Sequence, residues 1–518
     1  MTHHLRPRFR ARIAAFALPA LLIACTKPNP LDCTDGTCTD SAFPFCDVDG
    51  ALAGTPQTCI AVACTAGEFK ACRGDAELTC NTTGTDYELT QCAHGCDPGV
   101  GCRLCEANQS VCTDGQAQTC DAAGQVVAAQ ACPLGCFEDQ PRCRDVDPSN
   151  GLAMYLDMAA TAPDLILSDG DFILTGNGTL VHGQTKTTLL SFYLFGEVGG
   201  SDIRVVIANH VQISGHVRVA PEKLNVHGLG PALAIVANDQ ITIDGYLDFV
   251  ANNLETIFPT AGGILLDGCT GGQARITNVF SSPIQSGSGG GGHATKGGDG
   301  GTVGQGDPVL IAGGMGGAPT GNETLVPLRG GCPGGADDAN GSFPVKPYIA
   351  AGGGALQLSS RTAIKIYSNS ILNLNGLPPP TPGGSNTCYG GGAGGGILLE
   401  APAVSLGDSA RLVVNGGAAC NQAGGIAIPT SLTTQPTTNN DCRSNSTLSC
   451  SQGGNGAALD GPATSGGDIP FSSGPSYIAG GGGGGLGFIR INTATGSYTK
   501  ESNTIESGVL TTGTIGTR

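Results

Sequence analysis

Gly394 to Gly416 reads GGGILLEAPAVSLGDSARLVVNG: three short apolar runs parted by tight corners. The stretch from Gly353 to Gly376, GGALQLSSRTAIKIYSNSILNLNG, has the same grammar. Ile364, Ile366, Leu372, Leu374 and Gly376 precede Val404, Leu406, Leu412, Val414 and Gly416 by 40 residues each. Two earlier copies lie 30 residues apart: Val211, Ile213, Gly215, Val217 and Val219 answer Ile241, Ile243, Gly245, Leu247 and Phe249. Asn209 and Asn238 precede these copies near a corner.

A period of two puts the Ile, Val and Leu side chains of each run on one face, and a run this short cannot bury that face alone. Stacking copies in parallel lines the inward residues into a continuous column, the logic of a solenoid. The expected fold is all-β: a parallel β-helix over residues 201–518, with long Gly-rich inserts at about 283–351, 377–393 and 417–479. An ordinary sandwich of short strands would alternate too, but does not require the aligned Gly and Asn. The final copy, from Gly484 to Gly508, has lost the third apolar triplet, as suits a terminal cap.

The chain opens with Arg6, Arg8, Arg10 and Arg12 and then an apolar run from Ile13 to Ala24, the charge and length of a secretory signal over residues 1–24. It ends Leu22-Ile23-Ala24-Cys25, which resembles a bacterial lipobox and implies lipidation of Cys25. Soluble secretion after ordinary cleavage is the alternative. Several acyl chains, each buried CH₂ contributing about 0.8 kcal/mol, anchor such a protein stably. Thr26 follows where Asp in lipoproteins of this kind means inner-membrane retention, so the expected location is the outer membrane, exposed at the cell surface.

Of 23 cysteines, Cys25 aside, 16 lie between Cys33 and Cys143 and six between Cys269 and Cys450. Even sets in an exported chain predict disulfides. Cys72, Cys80, Cys92 and Cys96 recur 40 residues on as Cys112, Cys120, Cys132 and Cys136, flanked by Cys64 with Cys102 and by Cys105 with Cys143. These are two six-cysteine modules, 64–102 and 105–143, and Cys33, Cys38, Cys46 and Cys59 form a shorter one. Modules of this size bury too little to fold unaided, and bridges worth roughly 2–4 kcal/mol each replace a core. Spacing leaves all fifteen pairings of six cysteines open. Residues 25–143 thus read as a disulfide-rich stalk. The recurrent gaps do not suit zinc, which wants close CxxC-like pairs.

Residues 144–200 read as a transition: a helix over Leu152 to Ala160, capped by Ser149 or Asn150 and shielding the end of the first coil. Strands are expected at Leu165 to Leu167, Phe172 to Leu174 and Leu189 to Phe195. The inserts hold most of the glycine excess and are either mobile loops or tightly packed polyglycine-like strands. Because each follows the third strand of a coil, they should emerge near one corner, a face that repeat proteins often use for binding. Cys269 with Cys332, Cys388 with Cys420, and Cys442 with Cys450 are the expected tethers, from proximity in the repeat.

PSNGLAMYLD at Pro148, VPLRGGCPGG at Val326, GGGILLEAP at Gly394, LGFIRINT at Leu486 and the six-cysteine modules together resemble Gly-rich, cysteine-repeat surface lipoproteins of myxobacterial type. That resemblance implies an envelope protein with no assigned activity, so no catalytic residues carry over.

A net charge of -17 and a pI near 4.7 disfavour nucleic acid as a partner. Expected partners are the membrane, through the lipid, and a cell-surface glycan, matrix or another protein; no cofactor is implied. The outward positions Gln212, Thr242, Lys365 and Ser405, and Arg218, Asp248, Asn373 and Val413, form no obvious catalytic set, and Arg218 beside Asp248 reads as a surface ion pair. His182, His210, His216 and His227 are too regularly spread to mark a metal site. Arg73-Gly74-Asp75 and Gly297-Gly298-Asp299-Gly300 are lone motifs of little weight, and no glycine run ends in the GK[ST] of a phosphate loop. The sequence therefore points to a non-enzymatic surface protein, structural or adhesive. The rival is a divergent carbohydrate-active β-helix, a lyase or hydrolase, which would show ionisable side chains converging on adjacent coils.

Overall fold

The computed structural model describes residues 31–33, 35–137 and 142–518, apart from 183–184, 189–191, 196–201, 222–229, 250–268, 270–271, 273–276, 280–282, 305–310, 336–349, 380–387, 421–431, 437–448 and 471–476. The signal segment, Cys25, His227 and Cys442 lie outside the described residues. The chain divides into two compact units, Met1–Cys132 with Cys136–Cys143, and Pro133–Gly135 with Arg144–Arg518. It is all-β, with Ala153–Ala159 the helix among the described residues.

The smaller unit is built of short antiparallel ribbons, among them Phe69–Arg73, Ala76–Cys80 and Tyr87–Gln91, and then Ser110–Thr113, Gln116–Cys120 and Val126–Ala131. Half-cystines and Leu78 fill its interior.

In the larger unit two sheets face each other. One carries Val211–Ala220, Ile241–Asp248, Ala363–Ile366 with Ile371–Asn373, and Ala403–Leu406 with Arg411–Val413, paired in parallel. Ile213, Ile243, Ile366 and Leu406 stand in one file across these strands, each no more than 1% exposed. Gly215 and Gly245 are neighbours at the corner, where a Cβ on Gly245 would lie 2.1 Å from the Gly215 carbonyl oxygen. Asn238 Nδ2 donates to Asn209 Oδ1 at 3.0 Å, which accounts for the aligned asparagines.

The second sheet runs Ile203–Ala208, Ala232–Ala237, Ala355–Ser360, Gly396–Glu400, Phe488–Thr493 and Val509–Thr514, all parallel, with Phe192–Phe195 antiparallel at one edge. Alternate residues enter the shared core. The others, such as Val205, Ala234 and Leu398, pack under Leu152, Tyr155, Leu156 and Ala159 of the helix and under Leu325 and Leu328. Burial on both faces explains why ALAIVA is apolar throughout.

The helix therefore covers a sheet face, where the sequence reading has it shield the end of a coil. Its cap differs as well. Leu152 holds the cap position without a side-chain hydrogen bond. Ser149 and Asn150 are engaged elsewhere: Ser149 Oγ donates to Glu400 Oε1 at 2.6 Å and Asn150 Nδ2 to Gln357 Oε1 at 2.9 Å. Glu400, fully buried, also accepts from Gln357, Ser359, Asn492 and the Ser149 backbone. A carboxylate so satisfied holds the 149–150 segment on the sheet. On the strand paired beyond Arg411–Val413, Glu506 takes the position in register with Leu412, and Tyr498 and Lys500 donate to it. A charged group there ends the apolar file.

The described parts of the three inserts are packed. In Gly480–Gly485 every third residue turns to the same neighbour, as in a polyproline-II-type helix with three residues per turn and no internal hydrogen bonds. Gly480 and Gly483 N–H donate to the 464–467 run, Gly482 and Gly485 to 288–291, and Gly484 to Gly417. Its carbonyls accept in turn from 298–301, 391–394 and 454–457. Segments of all three inserts thus surround one glycine run. A Cβ on any residue from Gly480 to Gly485 would fall 1.8–2.4 Å from another backbone oxygen, so the spacing exists only because side chains are missing. Cys269–Cys332 and Cys388–Cys420 cross-link this body, closing 63 and 32 residues, which by chain entropy contributes about 4 kcal/mol each.

Candidate functional site

The cysteine modules repeat in pairing as in spacing. Cys64–Cys80, Cys72–Cys96 and Cys92–Cys102 correspond one to one with Cys105–Cys120, Cys112–Cys136 and Cys132–Cys143. The shorter module holds Cys33–Cys46 and Cys38–Cys59. Cys450 is disulfide-bonded. The cysteine groupings with metal-like proximity, Cys33 with Cys38 and Cys59, and Cys92 and Cys102 with Glu77, consist of half-cystines apart from Glu77. With so few apolar side chains inside, the smaller unit should depend on its bridges. Reduction under native conditions is expected to open residues 31–143 to trypsin within minutes while the paired rungs persist, read as a stable C-terminal fragment by mass spectrometry; equal cleavage before and after reduction contradicts this.

Two motifs are engaged structurally. Arg73 of the Arg-Gly-Asp tripeptide contacts Asp47 and Asp49, both at 2.9 Å, and lies over Phe45. It is therefore not presented as a free loop cation. Asp299 of the Gly-Gly-Asp-Gly run accepts from Lys296 Nζ at 2.8 Å and the Gly316 N–H at 2.7 Å.

Ionisable groups do converge on the outward face of the first sheet. Parallel register stacks Phe172, Arg218, Asp248, Asn373 and Val413 in one column, and His216 beside Tyr246 in the column two residues earlier. The inward residues Val217, Leu247 and Leu372 are fully buried, which fixes the opposite orientation of their neighbours. Asp248 Oδ2 lies 3.3 Å from His216 Nε2, and Oδ1 accepts from Asn373 Nδ2 at 2.9 Å. Arg218 is in register with Asp248, yet its guanidinium sits over the Phe172 ring, 5.4 Å from the centroid. The contact to Asp248 that the sequence reading gave to Arg218 is thus made by the His216 ring in its place. Val413, expected outward, is fully buried.

Desolvation raises the Asp248 carboxyl above the usual range, against the hydrogen bonds and charge of His216, the Asn373 amide and the charge of Arg218. The ring of His216 meets that of Tyr246 at 5.7 Å, and Tyr246 is exposed. A carboxyl of raised pKa beside an imidazole can exchange a proton with, or hydrogen-bond to, a hydroxyl group. Two further His–Asp pairs form in this unit, His182 with Asp171 at 2.5 Å and His210 with Asp239 at 3.7 Å.

Sequence reasoning named Arg218, Asp248 and Asn373 as one row but did not join His216 to them. The signal was present, since His216 and Tyr246 share the outward parity of Arg218 and Asp248. Comparison with protein-family models, curated proteins and solved structures found no match.

Proposed function

We propose that this chain is a bacterial outer-membrane lipoprotein, anchored through Cys25 and exposed at the cell surface, with a structural or adhesive role. The observation that carries the reading is the set of ten disulfide bonds among the described residues, distributed over both units, which belong to an oxidising compartment. The larger unit is proposed to be a parallel β-helix whose rungs are the 30- and 40-residue repeats. Its in-register parallel ladders and single apolar file support that architecture. The resemblance to myxobacterial surface lipoproteins points the same way. Packing described segments of three inserts into one hydrogen-bonded body favours a rigid display element over a chain that moves to work.

Cys25→Ser tests the anchor: the protein should leave the membrane fraction for the medium or accumulate as the unprocessed precursor, and normal membrane retention would overturn the anchor. A second reading, a divergent carbohydrate-active enzyme, is favoured by the convergence of His216, Asp248 and Asn373. It requires new reducing or unsaturated sugar ends when the purified protein meets polysaccharide, abolished in Asp248→Asn; their absence leaves the non-enzymatic reading.

A further inference from the structure

The outward columns described above bring six side chains from four successive rungs into a grid: Phe172, Arg218, Asp248 and Asn373, with His216 and Tyr246 alongside. We propose that this grid is a binding site for a neutral, hydroxyl-rich glycan. The proposal rests on the reading of the protein as a surface module and names the class of its ligand.

Neighbouring rungs lie about 4.8 Å apart, so the polar groups of the grid form a regular line on the scale of a sugar ring's hydroxyls. The line offers both hydrogen-bond roles. Arg218 makes no side-chain hydrogen bond among the described residues, and its guanidinium carbon lies over the Phe172 ring, 5.4 Å from the centroid, which leaves its N–H donors to a ligand. Asp248 uses one contact on each oxygen, to His216 and Asn373, and a carboxylate has further lone pairs to accept with. Tyr246, 43% exposed, adds a ring face with a polar tip, the surface that packs against the C–H face of a pyranose.

Charge selects the class. The chain carries -17 overall and a carboxyl sits at the centre of the grid, so a uronate or sulfated polymer would approach against the field. A neutral glycan meets no such penalty and can satisfy donors and acceptors together.

The test is calorimetric titration of the purified, oxidised protein with neutral hexasaccharides of the β-1,4-glucose, β-1,4-xylose, α-1,4-glucose and N-acetylglucosamine series, with hexagalacturonate as the acidic comparison. At least one neutral series should bind with Kd of about 1 mM or tighter, and Tyr246→Ala and Arg218→Ala should each weaken it roughly tenfold or more. Tyr246 is exposed, so its variant keeps the test intact if Arg218→Ala loses the fold by circular dichroism. Binding by no neutral series, binding unchanged in Tyr246→Ala, or binding of hexagalacturonate alone overturns the proposal. Surface display is scored separately by proteolytic shaving of whole cells, so a displayed protein with an empty grid refutes this inference and spares the surface reading.

Discussion

Gly482→Ala is expected to dissolve the glycine body as a unit. The new methyl would stand 1.9 Å from the Gly298 carbonyl oxygen, and that oxygen belongs to backbone already committed to Gly290 N–H. A flexible side chain could turn away; a backbone locked between other backbones cannot. Alanine also stiffens the unfolded chain, which by itself favours folding by about 0.4–1 kcal/mol. Overpacking against rigid neighbours outweighs that gain, at about 3 kcal/mol or more. Because Gly480–Gly485 touches segments of all three inserts, amide exchange protection should fall together across 288–301, 391–394 and 454–467, while Val211–Ala220 and Ile241–Asp248 stay protected. Met315→Ala, at a side chain 60% exposed in the same body, should change nothing measurable. Protection confined to its wild-type pattern in Gly482→Ala would mean that the inserts do not pack around this run.

Acid should weaken the larger unit before its carboxylates titrate. His293 is fully buried, donates from Nδ1 to the Gly394 carbonyl at 2.8 Å, and meets Phe488 edge-on at 5.1 Å. Its Nε2 is buried without a hydrogen-bond partner among the described residues. Burial pushes the imidazole down to about 4; the Gly394 and Gly395 carbonyls pull the other way and the charge of Arg329 adds to the lowering. The neutral ring is therefore the native form. Above pH 6.5 folded and unfolded chains both hold it neutral and its full contribution is present. As pH falls from about 6.5 to about 4 the unfolded chain takes up the proton first, so stability drops by about 3 kcal/mol across that window. His293→Asn keeps a donor at the Nδ1 position without a titrating group. Its thermal midpoint should be flat between pH 6.5 and 4.5 where the wild type declines; parallel profiles would remove His293 as the cause.

The parallel strands were legible because their physics is local and repeated. Alternation sets which side chains face inward, and the 40-residue offset that matched Ile366 with Leu406 and Leu372 with Leu412 is the register of the second and third strands. The first strand departs from it: Ser359 pairs with Glu400, an offset of 41, because the corner after it holds one residue more in the earlier copy. One such residue was enough to hide the ladder of Ser359, Glu400 and Asn492, whose polar members lie in runs that otherwise read as apolar core. The helix was visible from its pattern, but its place was not, since nothing in LAMYLDMA says which of several apolar faces it covers. The grid around Asp248 was half visible: parity names its residues, whereas the choice of Arg218 for Phe172 and of His216 for Asp248 depends on which rotamers fit together.

The amino-acid sequence by itself determined the strand periodicity, the corners that need Gly or Asn, the parity of the cysteines and the acidic charge, because each follows from residue type at short spacing. Tertiary structure alone decided that the described parts of the glycine inserts are packed. Glycine has no side chain to set a face or a moment, so a mobile run and a close-packed one look alike on paper; Gly480–Gly485 differs only in finding partners as much as 194 residues away, from Ser288 to Gly482, at distances a single methyl would forbid.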